Sequence, residues 1–517
     1  MYSTLAKYAG FVFQICVAYV ILAPLLVCVF VLNELYRYFI IVFLYLCHDE
    51  YCLVGNGLDC ICLWKKDYTS ENEGRHGVMN IVMLQSNSFD NFTIQDEQKF
   101  VVEKVFEKNG ALLYEKLKQV VVTKYGFALW KKDSGMFDIK NHVYIYPRTD
   151  DQIITEEVLL DEIVPHLSKG MNETKPQWEW IVIPKVKLRC HDTPQMVRLF
   201  RFHHAYMDGG SCGLLIGDGI LEFSDALGRS IDRPPYVIDP LAKPLKPKEQ
   251  IQAVLAKWLG ITGLPFFVID PIFHPSRYPK SDKIAYKPEK GGSGCRNFCI
   301  SRRLDFETIR AIKSFSARPV SFILVDSVLK SISIVMQGKQ ISDPAKKYFD
   351  IAIPIALLPY RDLKPRNKTG VVRLLPEART TQLNVGEETS ISSRIQFFSY
   401  FYILKIIGRF PVRVVRLLLH GTPSSIVFSN MPFTTELGTI QGQLVNGVGS
   451  WPCCTGATGI AISTIRYGET VSFMCSVDDT VLSRGETQRF LETVVDQIID
   501  LSQRGNQTAS DHISISV

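Results

Sequence analysis

The longest uninterrupted pattern in the chain is apolar: from about Tyr8 to Leu32 no side chain carries charge. As a helix rising about 1.5 Å per residue, these roughly 24 residues reach about 36 Å, enough to cross a hydrocarbon core with some tilt. Pro24 inside the run is compatible with a membrane helix. The run exceeds the ~7–15-residue apolar core of a secretory signal and no Ala-x-Ala type of cleavage site follows, so it predicts a retained anchor. A second apolar run, Tyr38–Cys47, is too short to span alone and predicts an interfacial segment or half of a re-entrant hairpin. Only Lys7 precedes the long run, whereas Arg37 and then Lys65, Lys66 and Arg75 follow it. By the positive-inside rule the long C-terminal part faces the cytosol in a single-pass topology. The endoplasmic reticulum is the membrane expected first, ahead of the plasma membrane.

Farther along, Val197-Arg198-Leu199-Phe200-Arg201-Phe202-His203-His204 alternates apolar and basic residues, which predicts a strand. Ala205–Gly210 reads as a turn and Cys212–Leu227 as a helix. From about Arg233 to Gly294 proline, glycine and lysine accumulate, as in Pro244-Leu245-Lys246-Pro247 and Gly291-Gly292-Ser293-Gly294, the composition of an inter-domain connection. Within it Ile251–Phe273 is apolar and fits equally a buried helix or one lying on a membrane. Ile395–His420 carries the same pair of readings. There Phe397, Phe398, Tyr400, Phe401, Tyr402 and Leu404 precede Lys405, Arg409, Arg413 and Arg416. These shifts divide the chain into an anchor with its short apolar segment (1–50), an N-terminal domain (51–232), the connection (233–294), a C-terminal domain (295–505) and a polar tail (506–517).

Composition narrows the class. With 517 residues, 46% apolar and 21% charged, the chain can bury full-sized cores. Its net charge of +6 fits anionic lipid surfaces or a phosphorylated donor as well as it fits ordinary variation. No basic run interleaved with aromatics is present, so nucleic acid is not an expected partner. The 13 cysteines are odd in number and scattered, without zinc or disulfide spacing, and read as reduced thiols; no metal site is expected. Sequons at Asn91, Asn172, Asn367 and Asn506 argue weakly the other way.

The candidate chemistry sits where the predicted strand ends, in His203-His204-Ala205-Tyr206-Met207-Asp208-Gly209. Acyl transfer from a thioester to an alcohol needs no covalent enzyme intermediate, only a base within reach of the hydroxyl, which contributes about 10²- to 10⁴-fold. A neutral imidazole, with a reference pKa of about 6.5, suits that task near neutral pH. Asp208 can fix the loop through an ion pair or backbone hydrogen bonds, and Gly209 lets the backbone approach closely. Cys212 reads as small helix packing.

His-His-x-x-x-Asp-Gly is the signature of the CoA-dependent acyltransferase superfamily, and the extended stretch from His203 to Gly213 resembles the wax ester synthase/diacylglycerol acyltransferase family. The resemblance continues in order along the chain. Gly57-Leu58-Asp59 with Trp64 is similar to the family's opening, and Phe137-Asp138-Ile139 with His142-Val143 to its Phe-Asp…His-Val segment. Lys175-Pro176-Gln177-Trp178-Glu179 resembles the stretch before the catalytic strand. Pro354-Ile355-Ala356-Leu357 with Arg361, Asn367 and Leu375-Pro376 resembles a later block, as do Ser429-Asn430-Met431-Pro432 and the late Asp478. Departures are Val320-Ser321-Phe322 where Asn-Asp is usual, Gln177 for Leu, and the anchor, absent from soluble bacterial members. The Asp-Phe-Gly-Trp-Gly segment of plant-type relatives is missing; Gly449-Ser450-Trp451 does not replace it.

The resemblance implies two chloramphenicol-acetyltransferase-like α/β domains with a tunnel between them, here preceded by the transmembrane helix. It implies His204 as the base, His203 and Asp208 as the other catalytic-motif residues, and Gly209, Ser211, Trp178 and Asn430 as substrate-binding or loop-supporting. It implies acyl-CoA as co-substrate with no cofactor, and a long-chain alcohol or diacylglycerol as acceptor. A sterol, an amine or a small metabolite as acceptor, and a non-catalytic membrane-tethered lipid- or CoA-binding protein, are the alternatives that the motif leaves open.

Overall fold

The computed structural model describes residues 2–63, 79–87, 92–107, 114–132, 137–147, 153–223, 247–273, 296–316, 320–336, 351–356, 364–374, 391–419, 426–453 and 458–514. Trp64, Leu357, Arg361, the Leu375-Pro376 pair and most of the Pro/Lys-rich connection lie outside the described residues.

The N-terminus is one continuous helical rod. α1 (Tyr2–Cys16) passes through a π-helical stretch (Val17–Leu22) into α2 (Ala23–Cys47), and the wider turn falls immediately ahead of Pro24, which has no N–H to donate. Tyr38–Cys47 is therefore the continuation of the same N-terminal helix, not a separate segment or hairpin arm. The polar residues between the two apolar runs are satisfied by the body of the protein. Glu34 pairs with Arg409, Arg37 donates to the carbonyls of Arg409 (3.0 Å) and Val54 (3.2 Å), and Ile40 and Leu44 pack with Leu53, Phe127 and Leu129. Ala9–Cys47, 39 residues, is long and apolar enough to cross a membrane. Its length of about 58 Å is nearly twice a hydrocarbon core.

β1 (Tyr51–Leu53), α3 (Gly57–Leu63), β2 (Met79–Asn87) and α4 (Ile94–Val101) come next. A two-residue Tyr125-Gly126 turn, both at positive φ, joins β3 (Val120–Lys124) to β4 (Phe127–Lys131). β5 (Val143–Ile145), β6 (Ile154–Thr155), α5 (Glu156–Val158) and α6 (Val164–Ser168) lead to the long antiparallel pair β7 (Trp178–Lys187) and β8 (Gln195–His203), then α7 (Gly209–Leu214). α8 (Pro247–Thr262) and α9 (Leu264–Phe273) separate this half from the next.

The second half holds β9 (Arg296–Ile300), β10 (Leu304–Asp305), α10 (Phe306–Ser316), α11 (Val320–Met336), β11 (Ile351–Ala356) and β12 (Thr369–Leu374). It continues with α12 (Ile391–Ile407), α13 (Val412–Leu419), β13 (Ile426–Pro432), β14 (Thr439–Ile440) and β15 (Gln443–Trp451). β16 (Ile460–Tyr467), β17 (Thr470–Asp478) and α14 (Arg484–Ser514) complete it.

Two seven-stranded sheets organise these elements, one ordered β14-β15-β2-β8-β7-β5 with β6 on β7, the other β10-β17-β16-β13-β11-β12 with β9 on β17. The first sheet takes its outer strands from the second half: β15 runs antiparallel to β2 from Ser86↔Val445 to Ile81↔Trp451. A large apolar core lies on one face of the first sheet against α4 and α7, a smaller one on the other face under α5 and α6. A third lies between the second sheet and α10, α11 and α14.

The strand expected at Val197–His204 is β8, and one sequence expectation changes here. All nine residues of β8 are buried, because Arg198 and Arg201 point to opposite faces and each meets a carboxylate, Glu97 at 2.7 Å and Glu179 at 2.6 Å. The helix expected over Cys212–Leu227 starts earlier and is shorter. Asp208 caps it so that it opens at Gly209, and after a π-helical stretch (Leu215–Ile220) Glu222 bridges to Thr439.

Candidate active site

β8 delivers two histidines that end in different surroundings. His203 is buried; its N–H donates to Gln177 O at 2.9 Å, and its Nδ1 accepts the Ala205 N–H at 3.1 Å. His204 is only partly buried, while Ala205, Tyr206, Met207 and Asp208 are 0% exposed. One imidazole of the pair is thus committed to its own turn, and the other is presented.

The turn is braced along its length. The Tyr206 hydroxyl donates to Gln119 O at 2.6 Å and accepts the Gln177 N–H at 3.2 Å; burial pushes its pKa up, so it stays a donor. Asp208 accepts the Ser211 N–H at 2.8 Å through one carboxylate oxygen, and the Lys368 N–H at 2.7 Å and the Thr369 hydroxyl at 2.9 Å through the other. The Asp208 N–H and the Ser211 hydroxyl both donate to Arg366 O. Asp208 therefore ties the start of α7 to residues 366–369, from the other half of the chain.

A second clasp holds the backbone carbonyls beside the imidazole. Asn367 Nδ2 donates to His204 O at 2.9 Å and to Asp59 Oδ1 at 2.9 Å. Lys116 Nζ donates to Asp59 Oδ2 at 2.8 Å, Ala205 O at 3.0 Å and Tyr206 O at 2.9 Å. Asn56 Nδ2 closes the ring on Asp59 Oδ1 and Asn367 O, both at 2.9 Å. Charge-assisted bonds of this kind are about twice as strong as neutral ones, so the path of the backbone at 204–206 is well determined.

Cys62, on α3, places its Sγ 3.5 Å from His204 Nδ1. Burial, with Cys453 and Asp59 adding to it, pushes the Cys62 thiol well above its ordinary pKa, so the sulfur is neutral at physiological pH. With the proton on Nδ1 and the sulfur accepting it, Nε2 keeps its lone pair; with S–H donating, the proton sits on Nε2 instead. The first tautomer is the one a base requires.

The other sequence candidates lie around this centre. Gly209 opens α7 where a Cβ would come within 2.6 Å of Met431 Sδ, which brings the Asn430-Met431 end of β13 against the loop. Asn430 Nδ2 itself donates to Ser321 Oγ at 2.9 Å, so the altered Val320-Ser321-Phe322 triplet supplies a partner to that strand end. Trp178 is a core residue: its Nε1 donates to Leu117 O at 2.7 Å, under the turn that carries Lys116, and its ring stacks 4.7 Å from His142. Burial lowers the pKa of His142, whose Nδ1 donates to Trp178 O at 2.8 Å. Gly209-Gly210-Ser211-Cys212-Gly213 also has the spacing of a serine nucleophile elbow. Ser211, however, is 1% exposed and its hydroxyl is engaged with Arg366, and burial pushes the Cys212 thiol up. Among the described residues no cluster could hold a metal ion.

Sequence reasoning missed Lys116 altogether, because a lysine in a lysine-rich stretch carries no signal. Asp59 and Asn367 were visible only as fragments of a family pattern, without a role.

Comparison with known proteins identifies one region of the chain. Residues 392–501 match the WS/DGAT C-terminal domain. The chain carries a WS/DGAT C-terminal domain. That domain contains α13 and strands β13 to β17, including β15, which completes the first sheet. The wax ester synthase/diacylglycerol acyltransferase from Marinobacter aquaeolei VT8 is similar in fold at 14% identity and a TM-score of 0.52, over 87% of this chain and 98% of that one. The TRI3 trichothecene 15-O-acetyltransferase from Fusarium sporotrichioides aligns at 11% identity and a TM-score of 0.49, over 87% and 95%. No curated protein sequence matches the chain. The likeness to the Marinobacter structure shows a shared mixed α/β, two-domain fold.

Proposed function

We propose that this chain is a membrane-anchored, acyl-CoA-dependent O-acyltransferase that esterifies a long-chain alcohol or diacylglycerol, with His204 as general base. The observation that carries the reading is His204 itself. It is a partly exposed imidazole on a turn otherwise buried, held through its own carbonyl by Asn367 and through its neighbours by Lys116. The WS/DGAT C-terminal domain supports acyl transfer as the reaction class.

In the proposed reaction Nε2 takes the acceptor's hydroxyl proton as the oxygen attacks the thioester carbon. The C–O bond forms, the C–S bond breaks, and the imidazolium returns the proton to the departing CoA sulfur. Nδ1–H, donated to the neutral Cys62 sulfur, keeps the lone pair at Nε2 before the transfer. Asp208 supports the loop and takes no part in proton movement. With the long apolar N-terminal helix in a bilayer, lipid acceptors are dissolved next to the protein, so hexadecanol-sized alcohols are expected to be used far better than ethanol-sized ones.

His204→Ala tests the base: kcat should fall by about 10²- to 10⁴-fold with acyl-CoA affinity little changed. His203→Ala should cost less. Near-normal turnover in His204→Ala would favour a non-catalytic lipid- or CoA-binding protein. Product identity follows from offering one labelled acyl-CoA with mixed alcohols, diacylglycerols, sterols and amines. For a cytosolic body, a tag after Val517 should be open to protease when only the outer membrane is permeabilised, and the exposed Asn172 should carry no glycan. Asn367 gives no information on sidedness, since its amide is buried in the clasp.

A further inference from the structure

α8 is amphipathic in the opposite sense to a soluble surface helix. Its small residues face inward: Ala256 is 0% exposed, and a Cβ on Gly260 would lie 2.6 Å from Phe398 Cβ and 3.2 Å from Ser399 N on α12. The Ser399 hydroxyl donates to Gly260 O at 3.2 Å. This small-x-x-x-small contact lets two helices approach closely, the usual packing device of helices in lipid. Its outward sector is apolar. Ile251, Val254, Trp258 and Ile261 are exposed, Trp258 by 63%, with Leu255 and Leu259 beside them, and Lys257 stands at the sector's edge. The one hydroxyl in that sector, Thr262 Oγ1, donates back to Trp258 O at 2.9 Å.

The neighbour of this surface identifies what covers it. The Tyr19 hydroxyl donates to Thr262 O at 3.0 Å, and Phe11 meets Phe266 of α9 edge-on at 6.0 Å. The end of α8 and the start of α9 are therefore held against residues 11–19 of the N-terminal helix, which around that contact exposes Val20 by 71% and Ile21 by 63%. A segment that touches the anchor at that level shares its surroundings. At 16 residues α8 reaches about 24 Å, too short to span a hydrocarbon core by itself.

We propose that α8 is a second, in-plane membrane contact, with Ile251, Val254, Leu255, Trp258 and Ile261 among the acyl chains of the bilayer. The inference rests on the N-terminal helix lying in lipid and is independent of the acyl-transfer reading. Its consequence is positional: α8 packs on α12, and α12 packs on α3, where a Cβ on Gly57 would run into Lys405 O. The platform thus borders the helix that carries Cys62 and Asp59.

Trp258 is its own probe. The described tryptophans Trp130, Trp178, Trp180 and Trp451 are all buried, and the N-terminal helix has none. Full-length protein and Trp258→Phe are reconstituted into phosphatidylcholine vesicles with or without bromine on the acyl chains. Emission attributable to Trp258 is the difference between the two proteins. Bromination should reduce that difference at least twofold, and Val254→Asp should restore most of it. A difference that bromination leaves unchanged overturns the proposal; if Trp258→Phe or Val254→Asp also shifts the size of the detergent-solubilised particle, the face is a contact between copies. Flotation with the vesicles reports the anchor separately, and protein that fails to float removes the anchor reading and this one together.

Discussion

Asn367→Ala removes a single amide whose two closest partners stand at the same distance, and it should cost rate as well as stability. The lost bonds are those to the Asp59 carboxylate and to the His204 carbonyl, each 2.9 Å long. A bond to a charged group contributes about 1.5–3 kcal/mol and a neutral one about 0.5–1.5 kcal/mol. Asp59 keeps Asn56 and Lys116, so its charge is not stranded, and the stability loss should fall in the lower part of the combined range, about 2–3 kcal/mol. Nothing comparable replaces the grip on the His204 carbonyl. A backbone shift of about 1 Å at a reacting group costs about 10²-fold in rate, so kcat should fall by roughly that factor with acyl-CoA affinity retained. Asn367→Asp should be worse than alanine, since it sets a second carboxylate against Asp59. Turnover with acyl-CoA and hexadecanol, acyl-CoA affinity and thermal midpoint, measured in one detergent, separate the effects. A variant that loses thermal stability but keeps wild-type kcat would refute the argument that this clasp positions His204.

Three further outcomes follow from packing and charge. Gly57→Ala should destabilise severely or fail to fold, because its Cβ would overlap the Lys405 backbone oxygen of α12; expression yield and thermal midpoint report it. Arg198→Met should cost about 3–5 kcal/mol by leaving Glu97 buried without its partner, while replacing both residues with apolar ones should recover much of the loss in a denaturant titration. His142 has a lowered folded pKa, so the unfolded chain binds its proton first as pH falls. Stability from this group is full above about pH 6.5 and declines below it, and His142→Gln should flatten the thermal-midpoint profile between about pH 7 and 5.

What could be read from the sequence was local. The long N-terminal helix was legible because charge is absent over an unbroken apolar stretch, and the histidine motif because its residues are close together at a strand end. The continuation through Arg37 was hidden, because the groups that satisfy Arg37 and Glu34 belong to Val54 and Arg409. The double burial of β8 was hidden for the same reason: Arg198 finds Glu97 101 residues away. The clasp on His204 joins residues 308 and 57 positions apart, and no periodicity records such a pairing. The sense of α8 was left open because apolar residues on a helix look the same whether they meet a core or lipid.

The shared first sheet also sets a timetable for biosynthesis. β2 is made early and finds β8 once residue 203 has emerged, yet its other edge belongs to β15, about 350 residues further on. At about 5–20 residues per second, that edge stays open for roughly 20–70 s of translation. β2 is rich in Ile81, Val82, Met83 and Leu84, and an open, apolar strand edge is a template for pairing with another nascent chain. Ribosomes stalled between residues 204 and 443 should therefore carry chains that aggregate through β2 and depend on chaperones. The yield of folded protein is thus tied to elongation speed over that interval, more than to anything in the histidine loop.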